Sequence, residues 1–336
     1  MTNIQQIASD VATFAPSSGY LKILQDLEIG REDRQNELLL FIKPELFMVA
    51  DPNCVRNSTA LVLEKLAEYQ AYVHGIAIVG GQFLADKGIM DRHYGFINRL
   101  SKNASKILTA EDQSRIMNAL GLSSLEGIDI LGGHEYMQKY PGETFDELDQ
   151  FWFSKKSTKL QSGFYLQLYE KNGGRLILIN GFHPGQLHHF THPDHRVALF
   201  LVHSDTAWKT LRNEMVGNTY PEKAAPSSIR GSIYAEPPKY GLSQVDISNN
   251  GVHLSAGPFE GVFELTNFFG DLYAREKEHM VPLLVRRLVA RGVPADKAFT
   301  IAQNPQVTVN GKQTDLFSAS EDLDTDQAVD LWLNQA

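Results

Sequence analysis

The stretch ELLLFIK, residues 37–43, is a compact apolar run that stops at Pro44. Proline cannot donate to a strand ladder, so the run reads as a buried strand ending at Lys43, where a lysine is well placed for chemistry. Downstream, Leu61, Leu63, Leu66 and Tyr69 fall near one helical stripe, which predicts a helix capped by Ser58 or Thr59 and running through Tyr72. Residues 74–79 then read as a second strand. Residues 84–100 are expected to be helical, with Ile89, His93, Tyr94 and Ile97 one turn apart. A polar, helical section follows over about 101–160, broken at Gly121, at Gly132 and Gly133, and at Pro141 and Gly142.

GFYLQLY (163–169) and RLILIN (175–180) flank a turn and predict a hairpin, the second strand being the more buried. VALFLVH (197–203) is another buried strand. A helix capped by Asp205 or Thr206 should run to about Met215, followed by a Pro-rich loop over 218–230. Two more helices are expected at 259–269 and 271–292, and the acidic tail SEDLDTDQAVDLWL should close with a short one. Upstream of the first strand, residues 1–36 read as an extension with a short amphipathic helix, a Pro-Ser-Ser-Gly break at 16–19 and a charged run from Arg31 to Glu37.

Composition narrows the function classes. The 336 residues are 43% apolar and 21% charged, enough for a core and unlike a disordered chain, and at roughly 150 residues per domain they suggest about two domains. Lys and Arg number 31 against 40 Asp and Glu, so the basic surplus that nucleic-acid binding needs is missing. Cys54 is the single cysteine, which excludes an intrachain disulfide framework and a thiolate zinc cluster, and a reducing, cytoplasmic setting is expected. The N-terminus has no signal-peptide pattern, and the longest apolar stretch, residues 71–85, is too short to span a bilayer, so neither secretion nor a membrane partner is expected. There is no internal repeat, no G-x-G-x-x-G and no G-x-x-x-x-G-K-[ST].

Three features carry chemistry: Lys43 at a strand end, Arg212 and Arg230 flanking a loop, and His253 in NNGVHLSAGPFEGVFEL. A neutral imidazole is a nucleophile, Lys and Arg neutralise a transferring phosphoryl group, and a carboxylate on the other ring nitrogen sets the tautomer. Glu264, eleven residues after His253, is the candidate carboxylate.

In this combination the sequence resembles the nucleoside diphosphate kinase family. Asn250, His253, Ser255 and Glu264 match the family's spacing around its phosphorylated histidine. GNTYPEKAAPSSIRGSI (217–233) is similar, without insertion or deletion, to the family's G-E-T-N-P and T-I-R-G-D segment, giving Thr219 and Arg230. FIKPE resembles the strand ending in Lys-Pro-Asp, RHYGFINRL gives Tyr94, and GFHPGQL (181–187) resembles the base-gripping P-F-F-P-G-L, giving Phe182. The resemblance implies an α+β fold, a ferredoxin-like α/β sandwich with an antiparallel four-stranded sheet. It implies an N-terminal extension over 1–36, a kinase-like domain over 37–270 interrupted by a large helical insertion at about 101–180, and a helical C-terminal extension over 271–336. The implied activity moves the γ-phosphate of a nucleoside triphosphate to a diphosphate through phosphorylated His253, with magnesium carried on the phosphates and no protein metal site. Lys43, Arg212 and Arg230 would neutralise charge, Thr219 and Tyr94 donate hydrogen bonds, Asn250 reach the ribose, Phe182 stack on the base, and Glu264, helped by Ser255, orient His253. A homo-oligomer is implied.

The chain departs from the family at His253-Leu254-Ser255-Ala256, where the pattern is His-Gly-Ser-Asp, and at Glu45-Leu46 after Lys43-Pro44. One residue is added between Arg212 and Thr219, about ten between Arg230 and His253, and about eighty intervene between Tyr94 and Phe182. Besides phosphohistidine transfer to an acceptor other than a nucleoside diphosphate, two alternatives stand beside the enzyme. One is a catalytically silent nucleotide-binding protein of the same fold. The other is a metal site in the run His183, His188, His189, His192 and His195, against which Pro184 and Pro193 break the helical spacing.

Overall fold

The computed structural model describes residues 4–15, 20–270, 272 and 280–334, and they form a mixed α+β structure. In chain order the strands are β1 (Leu21–Gln25), β2 (Asn36–Ile42), β3 (Ala71–Gly80), β4 (Ile128–Gly132), β5 (Thr158–Gln161), β6 (Phe164–Lys171), β7 (Gly174–Ile179), β8 (Arg196–Ser204), β9 (Val252–Leu254), β10 (Gln306–Val309) and β11 (Lys312–Asp315). The chain divides into two compact units, one made of Met1–Lys87 with His192–Ala336 and the other of Gly88–Thr191. The expected insertion limits, about 101 and 180, fall inside the second unit.

The first unit is built on a sheet of order β1-β3-β8-β2-β9 in which every neighbouring pair is antiparallel. β2 and β8 are buried along their whole length. Alternation explains why their sequences are apolar at successive positions. Leu38, Leu40 and Ile42 of β2, with Ala198, Phe200 and Val202 of β8, join Val62, Leu63 and Leu66 of the helix Pro52–Glu68 in one core cluster. On the opposite face, Phe41 meets Phe268 of the helix Pro258–Phe269 at 5.4 Å between ring centroids. A third cluster packs that helix against the C-terminal helices Leu283–Ala290 and Thr325–Leu333 and the β10–β11 hairpin.

The second unit has a four-stranded sheet of order β4-β7-β6-β5, with β4 parallel to β7 and the other pairs antiparallel. Ile177 and Ile179 of β7 face a cluster with Leu100, Ala104 and Ile116, while Leu176 and Leu178 face Tyr136, Leu148 and Trp152. The period of two thus serves two cores. No described helix is long and apolar enough to cross a membrane.

Several local expectations change. The first long helix starts at Pro52, with Asp51 accepting from the Asn53 N–H as cap; Ser58 and Thr59 lie inside it and donate back to the Cys54 and Val55 carbonyls. An Asp-Pro pair is a stronger start signal than the apolar stripe that follows it. Residues 21–25 form an edge strand where only an extension was expected, because pairing with β3 supplies what the short segment lacks alone. The stretch expected to be helical over 101–160 contains β4, whose partner β7 is distant in sequence. Asp205 and Thr206 do not cap a helix: Asp205 accepts from the Gln35 N–H, and Thr206 donates to the Tyr69 carbonyl. The helical turns begin at Trp208 and continue as a wide turn over Leu211–Val216. Within 271–292 the helix spans Leu283–Ala290 after Pro282; residues 271 and 273–279 lie outside the described residues, as does the expected break at 16–19.

Phe200 is fully buried in the sheet–helix core. Phe200→Ala should therefore lower the unfolding free energy by about 3–5 kcal/mol, read from urea unfolding.

Candidate active site

β9 has only three residues, and its pairing with β2 places His253 directly across from Phe41. The two rings stack at 4.5 Å and 19°. That register puts the imidazole on the sheet face covered by the helix Pro258–Phe269. The chain reaches β9 through Gly251, whose φ of +82° suits glycine and whose missing side chain leaves room for Ile233 and Leu46. Glu264, on the inner side of the helix, has no exposed surface. Its Oε1 lies 2.6 Å from His253 Nε2, and its Oε2 accepts from Ser255 Oγ at 2.5 Å. An ionised carboxylate only accepts, so Nε2 carries the ring proton and Nδ1 carries the nucleophilic lone pair.

The two unfamiliar residues beside His253 have structural explanations. Leu254 points to the other face of the sheet and joins the core with Leu40. Ala256 contributes backbone groups, its N–H donating to Glu260 Oε2 at 2.7 Å. Glu260 is a site residue that the sequence reading missed. Its signal was available, since Glu260 and Glu264 are four residues apart and share a helix face. Burial and the charge of Glu264 push the Glu260 carboxyl up to about 7.

Cations surround this pair. Lys43 Nζ donates to Asn250 Oδ1 at 2.7 Å and to the Ser248 carbonyl at 3.3 Å. Burial lowers the Lys43 ammonium from its ordinary value. Arg230 is 9% exposed and ties the Gly217 carbonyl to the Val252 carbonyl, each at 2.9 Å, while its Nε has no hydrogen-bond partner. Burial brings its guanidinium down to about 10. His253 is held far below the ordinary histidine value, to about 3, by burial; Glu260 opposes this, and the charges of Lys43, Arg230 and Arg212 reinforce it. The imidazole is therefore neutral at physiological pH.

The structure thus gathers Lys43, Arg212, Arg230, Asn250, His253, Ser255 and Glu264 in the first unit. Asn250 is 2% exposed, and its amide donates to the Thr219 and Ile247 carbonyls, so it braces the loop rather than extending from it. Thr219 is exposed and meets Asn250 through its backbone. Arg212 is ion-paired with Asp322 and Glu321. Tyr94 and Phe182 belong to the second unit. There the Tyr94 ring lies 5.4 Å from that of His183, and Phe182 packs between Trp152 and Tyr165 at 5.9 and 6.0 Å. His183 is buried and faces Asn98 and Gln186. Among the described residues, no three of His183, His188, His189, His192 and His195 form a metal-ligating group.

No protein-family model matches this chain, and no curated protein matches it.

The raised Glu260 carboxyl has a consequence for stability. Its folded value is about 7 against 4.5 for an unperturbed glutamate, so its contribution is fully present below pH 4.5 and is lost as pH rises through 7. Glu260→Gln should be more stable than the parent at pH 8 by on the order of 1–3 kcal/mol, with the difference closing by pH 4, as measured by thermal unfolding across that range.

Proposed function

We propose that the protein is a phosphotransferase of the nucleoside diphosphate kinase type, in which His253 takes the γ-phosphate of a nucleoside triphosphate and passes it to a diphosphate. The observation that carries this reading is the Glu264 carboxylate, shared between His253 Nε2 at 2.6 Å and Ser255 Oγ at 2.5 Å. That arrangement sets the tautomer, fixes the ring plane and stabilises the positive charge that develops as Nδ1 attacks phosphorus. The P–N bond forms as the bond from phosphorus to the leaving diphosphate oxygen breaks, and the second half-reaction reverses this with a new diphosphate. Lys43 and Arg230 supply the positive charge that a transferring phosphoryl group requires.

The fold supports the same reading. Taking β2, β3, β8 and β9 as first to fourth, the spatial order is fourth, first, third, second, all antiparallel, with helices in both crossovers. We read this as a ferredoxin-like core with β1 added at one edge. Magnesium would enter on the nucleotide phosphates as part of the substrate. Within the first unit, Lys43 and Arg230 are cationic and suit phosphate oxygens rather than a bare cation. A silent nucleotide-binding protein is the second reading, favoured by the internal engagement of Arg212 and Asn250.

Incubation with γ-labelled ATP and magnesium should give acid-labile, alkali-stable label on the protein that a nucleoside diphosphate removes. His253→Ala should abolish the label, and Glu264→Gln should slow its formation by at least about 10²-fold. Nucleotide binding without any label would select the silent protein. Because His253 stays neutral down to about pH 3, labelling in a Glu260→Gln background, which lacks the neighbouring carboxyl that titrates at about 7, should show no loss centred on pH 6.5. An inflection there in a pH–rate profile would contradict the buried, neutral imidazole.

A further inference from the structure

The three cations near His253 are not equivalent. Lys43 and Arg230 donate to neutral carbonyl and amide oxygens, and among the described residues neither forms an ion pair. Arg212 does the opposite. Its Nη1 donates to Asp322 Oδ1 at 2.6 Å and its Nη2 to Glu321 Oε1 at 2.8 Å. The two terminal nitrogens of the fork thus hold two carboxylates, in the way they would otherwise grip two oxygens of a phosphate.

The acidic loop is pinned rather than loosely apposed. The Asp322 N–H donates to the Ala256 carbonyl at 3.1 Å, three residues from the nucleophile. Asp322 also has a left-handed backbone, φ 65°, a conformation that aspartate tolerates better than most residues. Beyond it, Asp324 Oδ1 accepts from the Trp208 N–H at 2.7 Å and from Asn36 Nδ2 at 2.9 Å. Before it, the Ser320 carbonyl lies so close to Gly257 that a side chain there would collide. The loop is therefore anchored both to the turn after β9 and to the start of the helical turns that carry Arg212.

We propose that Glu321 and Asp322 are specificity-determining residues that compete with ligand phosphate for Arg212 and so flatten the response of the His253 site to ligand charge. This inference rests on the phosphotransferase reading. A site with three unpaired cations would favour each added phosphate steeply. Here a longer polyphosphate reaches Arg212 only by displacing two carboxylates that already satisfy it. A ping-pong enzyme takes a triphosphate and a diphosphate into one site in turn, and a flat charge response keeps either from excluding the other.

The test measures dissociation constants of AMP, ADP and ATP by competition with a fluorescent adenine nucleotide at constant ionic strength. The parent protein, Glu321→Gln and the double variant Glu321→Gln/Asp322→Asn are compared, with labelling of His253 followed in parallel. In the parent, ATP and AMP should differ by no more than about tenfold; the double variant should widen that ratio by at least about another tenfold, through tighter ATP binding, with AMP changed by less than about threefold. Glu321→Gln should fall between them, and because its side chain is half exposed it carries the test if the double variant does not fold. An unchanged ratio, or weaker ATP binding in a folded variant, overturns the competition. If the parent still labels His253, only this inference falls; if no variant binds nucleotide and none is labelled, the phosphotransferase reading falls with it.

Discussion

A carboxylate with no exposed surface must be satisfied from within the fold, because leaving its charge unpaired there would cost several kcal/mol. Glu264 is such a group, and much of the site follows from how it is satisfied. Ser255 donates to one oxygen and His253 meets the other. Ser255 is in turn bound to the Leu39 backbone by its own N–H and by its hydroxyl. One side chain therefore ties the helix Pro258–Phe269 to the segment that follows β9 and, through Ser255, to β2. The same contacts that hold the helix down also orient the imidazole, so the fold and the candidate site share one network.

Around that network the positive groups are placed with different degrees of commitment. Lys43 and Arg230 cross-link loops through neutral oxygens, bracing the segments at Gly217, Ser248 and Val252. Arg212 is neutralised by the C-terminal segment, which reaches it because Asp324 and Thr325 are bound to Asn36 at the start of β2. Residues far apart in sequence thus set the charge seen by His253. A reading limited to the segment around the histidine would miss half of that balance.

Much of the framework was legible in advance. Runs such as residues 37–43 and 197–203 have no polar face, and a chain can hide such a strand only in the middle of a covered sheet. The spacing from His253 to Ser255 and Glu264 could also be read, since a short strand followed by a helix brings those positions together. Glu260 is not legible from the residues beside His253, because position 256 carries no acid and the carboxylate comes from the first turn of the following helix, where it meets the Ala256 backbone. β1 and β4 were missed because five-residue segments declare themselves only through their partners, β3 and β7.

The sequence by itself determined which segments had to be buried and which side chains offered an imidazole, carboxylates and basic groups, because hydrophobic periodicity and side-chain chemistry are local properties. Tertiary structure alone decided the pairing of Arg212 with Glu321 and Asp322, the bracing role of Asn250, and the edge strand β1. Each of these depends on which distant groups meet and on how far burial strengthens charge, and neither is encoded within a single stretch of chain.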